Sequence, residues 1–155
     1  MKSREEYFKS LPKKRMWSWA LILNEKDEIL FLETTYKEYW EIPGWVVESG
    51  ESPITCCKRE IFEEIWLELD IEKLLCLEYQ QTEFDDSMMF IFDWGVISYW
   101  DIDSMILQES EIKNIHFRTL ENAKKYLLPK MYNRLRNAFL AKKMNAAEYF
   151  ETLKN

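Results

Sequence analysis

GWVVESGESPITCCKREIFEEIWLEL, residues 44–69, gathers six glutamates around a single arginine, Arg59. Ser52-Pro53 marks a helix start, because serine caps free N–H groups and proline suits the first helical position. Ile54, Cys57, Ile61 and Ile65 follow at spacings of three and four. They predict one apolar stripe on a helix of about 13 residues. Glu60, Glu63 and Glu64 fall at i, i+3 and i+4, on a face distinct from that stripe. Three bare carboxylates so placed repel, each like pair costing about 0.2–0.5 kcal/mol. A hard divalent cation such as Mg²⁺ or Mn²⁺ takes oxygen ligands and removes that penalty. Arg59 precedes Glu63 by one helical turn and can hold a carboxylate in a bidentate contact. Glu48 and Glu51 come from the loop before the helix. Read alone, E-x-x-E-E also describes an ordinary solvated acidic face.

The flanks supply strands. WSWALILN (17–24) and EILFLET (28–34) are apolar runs split by Glu25-Lys26-Asp27, the pattern of a hairpin. YWEIPGWVVES reads as a short strand and then a loop broken at Pro43-Gly44. LLCLEYQQTEF and SMMFIFDWGVIS predict two more strands with Asp85-Asp86 at their turn, and EIKNIHFRTL a further short one. LENAKKYLL and PKMYNRLRNAFLAKKMN read as helices, the second opening on Pro129. Strands on both sides of one central helix predict a mixed α/β layer fold. The whole chain, 1–155, reads as one domain, with the first ~15 residues flexible and the helices of 119–143 packed on it.

Glu51, Arg59, Glu60, Ile61, Glu63, Glu64 and Leu67 fall in the register G-x5-E-x7-R-E-U-x-E-E-x-G-U, where U is a bulky aliphatic. That pattern resembles the signature of the Nudix hydrolases, and the flanking EIPG and ESGES resemble the family too. The resemblance implies a Nudix α/β/α sandwich with a mixed sheet. It also implies Mg²⁺- or Mn²⁺-dependent hydrolysis of a nucleoside diphosphate linked to another moiety. By position, Glu60, Glu63 and Glu64 resemble the metal ligands, and Arg59 the arginine that orients a catalytic carboxylate. Glu51 resembles the loop glutamate supporting the metal or its waters, and the Gly44 carbonyl a further ligand. The general base varies among such enzymes; Glu60, Glu63 and the distal Glu109 and Glu111 are the candidates. The other reading is a catalytically inactive Nudix-fold module that binds a nucleotide or a protein. Family members often dimerise, so a homodimer stays open.

Trp45 and Trp66 stand where the signature has glycine. Glycine serves such positions for positive φ or close backbone approach, and tryptophan is a poor substitute on size. Trp94, before Gly95, sits where a strand turn would suit a Gly-Gly pair; Trp17 and Trp19 flank Ser18; Trp100 lies in the turn SYWDID. The chain holds seven Trp and three Gly, where average usage predicts about eleven Gly. Only Trp40 looks at home. Some bacterial lineages read UGA as glycine, while another common code reads it as tryptophan. A gene of the first kind translated by the second rule would place Trp at these six positions, and seven UGG codons would exclude it. If Trp45 is genuine, strain beside the metal loop is expected. The alternative is a chain rich in Trp by design, with an aromatic surface for a base.

Composition narrows the partners. The net charge of −7 argues against nucleic acid or an anionic membrane as a general partner. It admits a phosphorylated small molecule if a cation reverses the local sign. No run approaches the length of a membrane span and the N-terminal residues lack a signal-peptide core. Three cysteines without framework spacing fit reduced thiols and a cytoplasmic setting. One histidine, His116, disfavours a His-rich zinc site. Tyr36, Tyr39, Trp40 and Phe84 could stack on a base, though packing is their commoner role. Asp101 and Asp103 read as a helix cap, Met88-Met89 as strand core, and Cys56-Cys57 lack a base that would make them nucleophiles. The cations of 129–143 (Lys130, Arg134, Arg136, Lys142, Lys143) are expected to face solvent.

Overall fold

The computed structural model describes residues 3–71 and 73–154; Met1, Lys2, Glu72 and Asn155, and whatever the sequence implies for them, lie outside the described residues. In chain order the elements are α1 (Arg4–Ser10), β1 (Arg15–Asn24), β2 (Ile29–Thr34), β3 (Gly44–Val46) and α2 (Pro53–Ile65). Then come β4 (Lys73–Gln81), β5 (Asp86–Ile97), α3 (Tyr99–Ser104) and β6 (Ile112–Arg118). The chain closes with α4 (Leu120–Ala123), a 3₁₀ turn (Lys124–Tyr126), α5 (Pro129–Met144) and β7 (Glu148–Thr152). The seven strands form one mixed sheet ordered β6-β2-β1-β5-β4-β7, with β3 paired to β1 off that path. β1–β5 and β4–β7 are parallel. Among the described residues no helix is long and apolar enough to cross a membrane.

The apolar runs of β1 and β2 are continuous because helices cover both sheet faces. Trp19, Leu21 and Leu23 of β1, with Ile29 and Phe31 of β2, pack toward Met131, Leu135 and Ala138 of α5. Their neighbours Ala20, Ile22, Leu30 and Leu32 pack toward Cys57, Ile61 and Ile65 of α2. The period of two along a strand sends alternate residues to the two cores. Burying each Ile or Leu contributes about 1.5–3 kcal/mol, so the sandwich holds α2 rigidly against the sheet.

Several elements differ from the expectations. Arg4–Ser10 form a helix that the sequence reading did not include, with Ser3 and Glu6 making a reciprocal capping box. None of its residues is buried. The strand expected before Pro43 reduces to one bridge, Leu32–Glu41, and the pairing strand begins at Gly44. The helix expected at LENAKKYLL is one short turn followed by a 3₁₀ turn. Trp94-Gly95 is not a turn. It is a bulge in β5, where Leu21 opposes Asp93 but Leu23 opposes Val96. Gly95 takes φ 72° there, and its N–H donates to Asp93 Oδ1 at 2.9 Å. Trp100 lies in α3, where Ser98 and Asp101 form a capping box. β7 has no counterpart in the sequence reading.

The basic helix face is also not uniformly solvated. Arg134 is buried, donating to Glu78 and, at 2.7 Å, to Gln80 Oε1. Lys142 donates to the fully buried Asp93 at 2.6 Å. Met89 joins the core and the three cysteines are buried and free.

Candidate active site

The helix α2 starts where Ser52 Oγ accepts from the Thr55 N–H at 3.1 Å, with Pro53 as its first residue. Its 13 residues match the expected length. The buried stripe differs at one end: Cys57, Ile61 and Ile65 are inaccessible, whereas Ile54 is 44% exposed. Ile54 sits in the first turn of the helix. The acidic face is partly buried as well, with Glu60 8% and Glu64 9% exposed.

Arg59 gathers the carboxylates. Its Nε and Nη2 donate to the two oxygens of Glu51 at 2.8 and 3.1 Å, a bidentate contact. Its Nη1 donates to Glu60 Oε1 at 2.6 Å and to Glu63 Oε2 at 3.1 Å. The hydrogen bond to Arg59 holds the Glu51 carboxyl below its ordinary range. The same bonds, that to Glu51 foremost, make the guanidinium harder to deprotonate. Burial raises Glu60 despite the arginine beside it.

Glu64 is the exception. It is buried and, among the described residues, no basic side chain pairs with it. The Gly44 N–H donates to its Oε2 at 3.2 Å. Burial first, and Glu60 second, push its proton affinity well above that of a free carboxyl. A buried carboxylate so poorly compensated is costly, and a hard cation is the partner its oxygen donors suit. No three carboxylate, thiol or imidazole groups among the described residues already converge into a metal cage. Arg59 draws Glu51, Glu60 and Glu63 toward itself instead.

A cavity of about 420 Å³ opens over this face, lined by Arg59, Glu60, Glu63, Glu64, Glu48 and Glu111 together with Tyr36 and Trp45. Of the expected site residues, Arg59, Glu60, Glu63 and Glu64 are thus brought together. Glu51 and Gly44 reach the cavity indirectly, through Arg59 and Glu64. Glu111 lines the cavity because its loop docks on the end of α2: the Gln108 N–H donates to the Glu64 carbonyl at 3.1 Å. Glu109 is exposed and does not line it. Of the four aromatics considered for stacking on a base, Tyr36 alone lines this cavity; the hairpin that pairs Leu32 with Glu41 carries its loop over the glutamates. Burial and the nearby carboxylates raise the Tyr36 hydroxyl to about 12, so it remains an O–H donor at neutral pH. Trp40 packs between His116 and Tyr126, at 3.9 and 4.0 Å between ring centres, and Phe84 projects into solvent.

The tryptophans at the signature's glycine positions behave differently from one another. Trp45 sits in strand β3 opposite Ser18, without a positive φ, so the strain expected there is absent. It falls on Trp66, which ends α2 in the left-handed conformation at φ 56°, ψ 37°. That conformation costs a side-chain-bearing residue about 1 kcal/mol relative to glycine. The stacking of Trp66 on Phe62, 5.1 Å between centres and 55% exposed, returns about 0.5 kcal/mol. Trp66→Gly is therefore expected to raise the unfolding free energy by a few tenths of a kcal/mol, seen as a slight rise in the urea midpoint. A lowered midpoint would mean that the indole stack outweighs the backbone cost.

Comparison with known proteins places this geometry. The family model described as NUDIX domain matches residues 14–141. A protein of Bacillus subtilis (strain 168), provisionally named 8-oxo-dGTP diphosphatase, is 29% identical over 75 residues, covering 48% of this chain and 50% of that protein. The chain thus spans about half the length of that curated relative. The MutT protein from Methanosarcina mazei Go1 superposes with a TM-score of 0.68 at 22% identity, over 88% of this chain and 99% of the other. A UDP-X diphosphatase superposes with a TM-score of 0.68 at 18% identity, over 99% of this chain and 76% of the other.

Proposed function

We propose, from the premise that this chain belongs to the NUDIX domain family, that it hydrolyses a nucleoside diphosphate linked to another moiety. The observation that carries the reading is Glu64: a buried carboxylate that no basic side chain pairs with among the described residues, beside Glu60 and lining a cavity of about 420 Å³. Mg²⁺ or Mn²⁺ fits this donor set, with Glu60, Glu63 and Glu64 to hold it. Such an ion supplies charge neutralisation for a diphosphate and acidifies water.

The side chains do the rest. Arg59 keeps Glu51 ionised and fixes Glu60 and Glu63 in place, so the acidic face is organised before substrate arrives. Glu60 and Glu111, which line the same cavity, are the candidates to accept the proton of the attacking water, Glu111 taking that role where Glu60 is engaged by the ion. The named activities of the relatives, on 8-oxo-dGTP and on UDP-linked compounds, define the first substrates to try.

Two measurements test this. Phosphate release should be seen with Mg²⁺ on a panel of 8-oxo-dGTP, UDP-sugars and dinucleotide polyphosphates. Independently, Mg²⁺ at a hundred times its dissociation constant should stabilise the fold by about 2.7 kcal/mol, because the ion binds only the folded site. Metal-dependent stabilisation without turnover would favour a binding module. No stabilisation at millimolar Mg²⁺ or Mn²⁺ would remove the assignment of these carboxylates.

A further inference from the structure

We propose that Lys37 is a substrate-contacting residue, directing its ammonium at a phosphate oxygen in the acidic cavity. The inference rests on the reaction proposed above. Lys37 stands on the short arc between β2 and β3, and both ends of that arc are tied down. The Thr35 N–H donates to the Glu111 carbonyl at 2.8 Å, and the Trp40 N–H to the Tyr126 carbonyl at 2.8 Å. Its neighbour Tyr36 lines the cavity.

The ammonium is fixed as well as placed. Lys37 Nζ donates to Glu41 Oε2 at 2.6 Å, and both side chains are only 16% exposed. Nζ also lies 4.4 Å from the ring centre of Trp45 and 5.2 Å from that of Tyr36, the two aromatic walls of the cavity, and 5.7 Å from that of Tyr39 outside it. An ammonium has three donors. One is used by Glu41, and no other hydrogen bond from Nζ is formed among the described residues. The other two donors make no hydrogen bond and lie among the three rings, contacts weaker than a charged hydrogen bond to a phosphate oxygen. Arg59, the cation of the cavity wall, is committed to three carboxylates. Lys37 is not itself one of the lining residues, but its Nζ lies against the rings of Tyr36 and Trp45, which are, and on our proposal it turns its remaining donors to an anionic substrate there without releasing Glu41.

The test compares Lys37→Met and Lys37→Arg in the full chain. The probe is inorganic pyrophosphate, titrated calorimetrically in the presence of Mg²⁺, and KM and kcat are measured on whichever nucleotide the panel identifies. Loss of a charged hydrogen bond should weaken pyrophosphate binding about 10- to 100-fold in Lys37→Met. KM should rise in parallel and Lys37→Arg should recover part of both. Mg²⁺ binding alone should not weaken. Lys37→Met/Glu41→Gln removes the unpaired carboxylate that Lys37→Met leaves behind, and should show the same loss if the single variant is unstable. Wild-type affinity for pyrophosphate in a folded Lys37→Met protein would overturn the proposal. If no nucleotide is cleaved, the hydrolytic reading fails, but the pyrophosphate titration still decides the role of Lys37.

Discussion

Glu64→Gln is expected to lower turnover at least about 100-fold while making the metal-free protein more stable. Changes even to groups that only support metal ligands cost about 10–100-fold in affinity or activity, and Glu64 is proposed as a ligand itself. The gain in stability follows from its surroundings. Glu64 is buried and accepts one backbone hydrogen bond, from Gly44. Its folded proton affinity lies well above the unfolded value, owing first to burial. A carboxyl of this kind stabilises the fold below its unfolded pKa, and that contribution is lost as pH rises through the folded pKa. Glutamine keeps the shape and has no proton to lose. Relief of an uncompensated buried group is worth about 1–3 kcal/mol, so the gap in melting temperature between variant and wild type should widen from acid to neutral pH. Mg²⁺ should close the gap by stabilising the wild type more than the variant. An active variant, or one less stable than wild type without metal at neutral pH, would contradict this account.

Gly44→Ala should be the most damaging single methyl in the molecule. Gly44 has φ +133°, and an added Cβ would meet the Ser18 carbonyl oxygen at 2.1 Å and the Trp19 Cα at 2.7 Å. Both atoms belong to the backbone of β1, buried between two cores, and cannot swing aside. Relief requires β3 to separate from β1, which breaks the pairing of Gly44 with Trp19 and of Trp45 with Ser18. It also withdraws the N–H that Glu64 accepts. A loss on the order of 3–5 kcal/mol is expected, lowering the melting temperature by about 10 °C. Calorimetry measures it directly. A shift of less than about 2 °C would show that the strand adjusts without losing its pairing.

The helix α2 was legible because every determinant is local: a cap, a proline, and apolar residues at helical spacing. The acidic constellation was legible for the same reason, being confined to a few turns of chain. What could not be read is what comes from afar. Glu111 and Tyr36 join the cavity through pairings between distant segments; the sequence offered each only beside others, Glu109 with the first and Tyr39, Trp40 and Phe84 with the second, and nothing local chose between them. Arg134 looked like one more cation on a basic helix until β4 placed Glu78 and Gln80 beneath it. β7 escaped because its burial alternates but its residue types do not follow: Tyr149 is exposed while Glu148 is partly covered. The signature's glycines mislead in one respect: of its two tryptophan positions, only Trp66 demands left-handed backbone.

The two strands at the middle of the sheet are distant partners: Arg15 of β1 pairs with Ser87 of β5. Neither can nucleate the other by a hairpin, so the centre assembles only after a long stretch of polypeptide has closed upon itself. High contact order of this kind slows folding. During synthesis β1 and β2 would wait as an apolar ribbon until β5 emerges, and that waiting species is where a chaperone or an aggregate would compete for the chain.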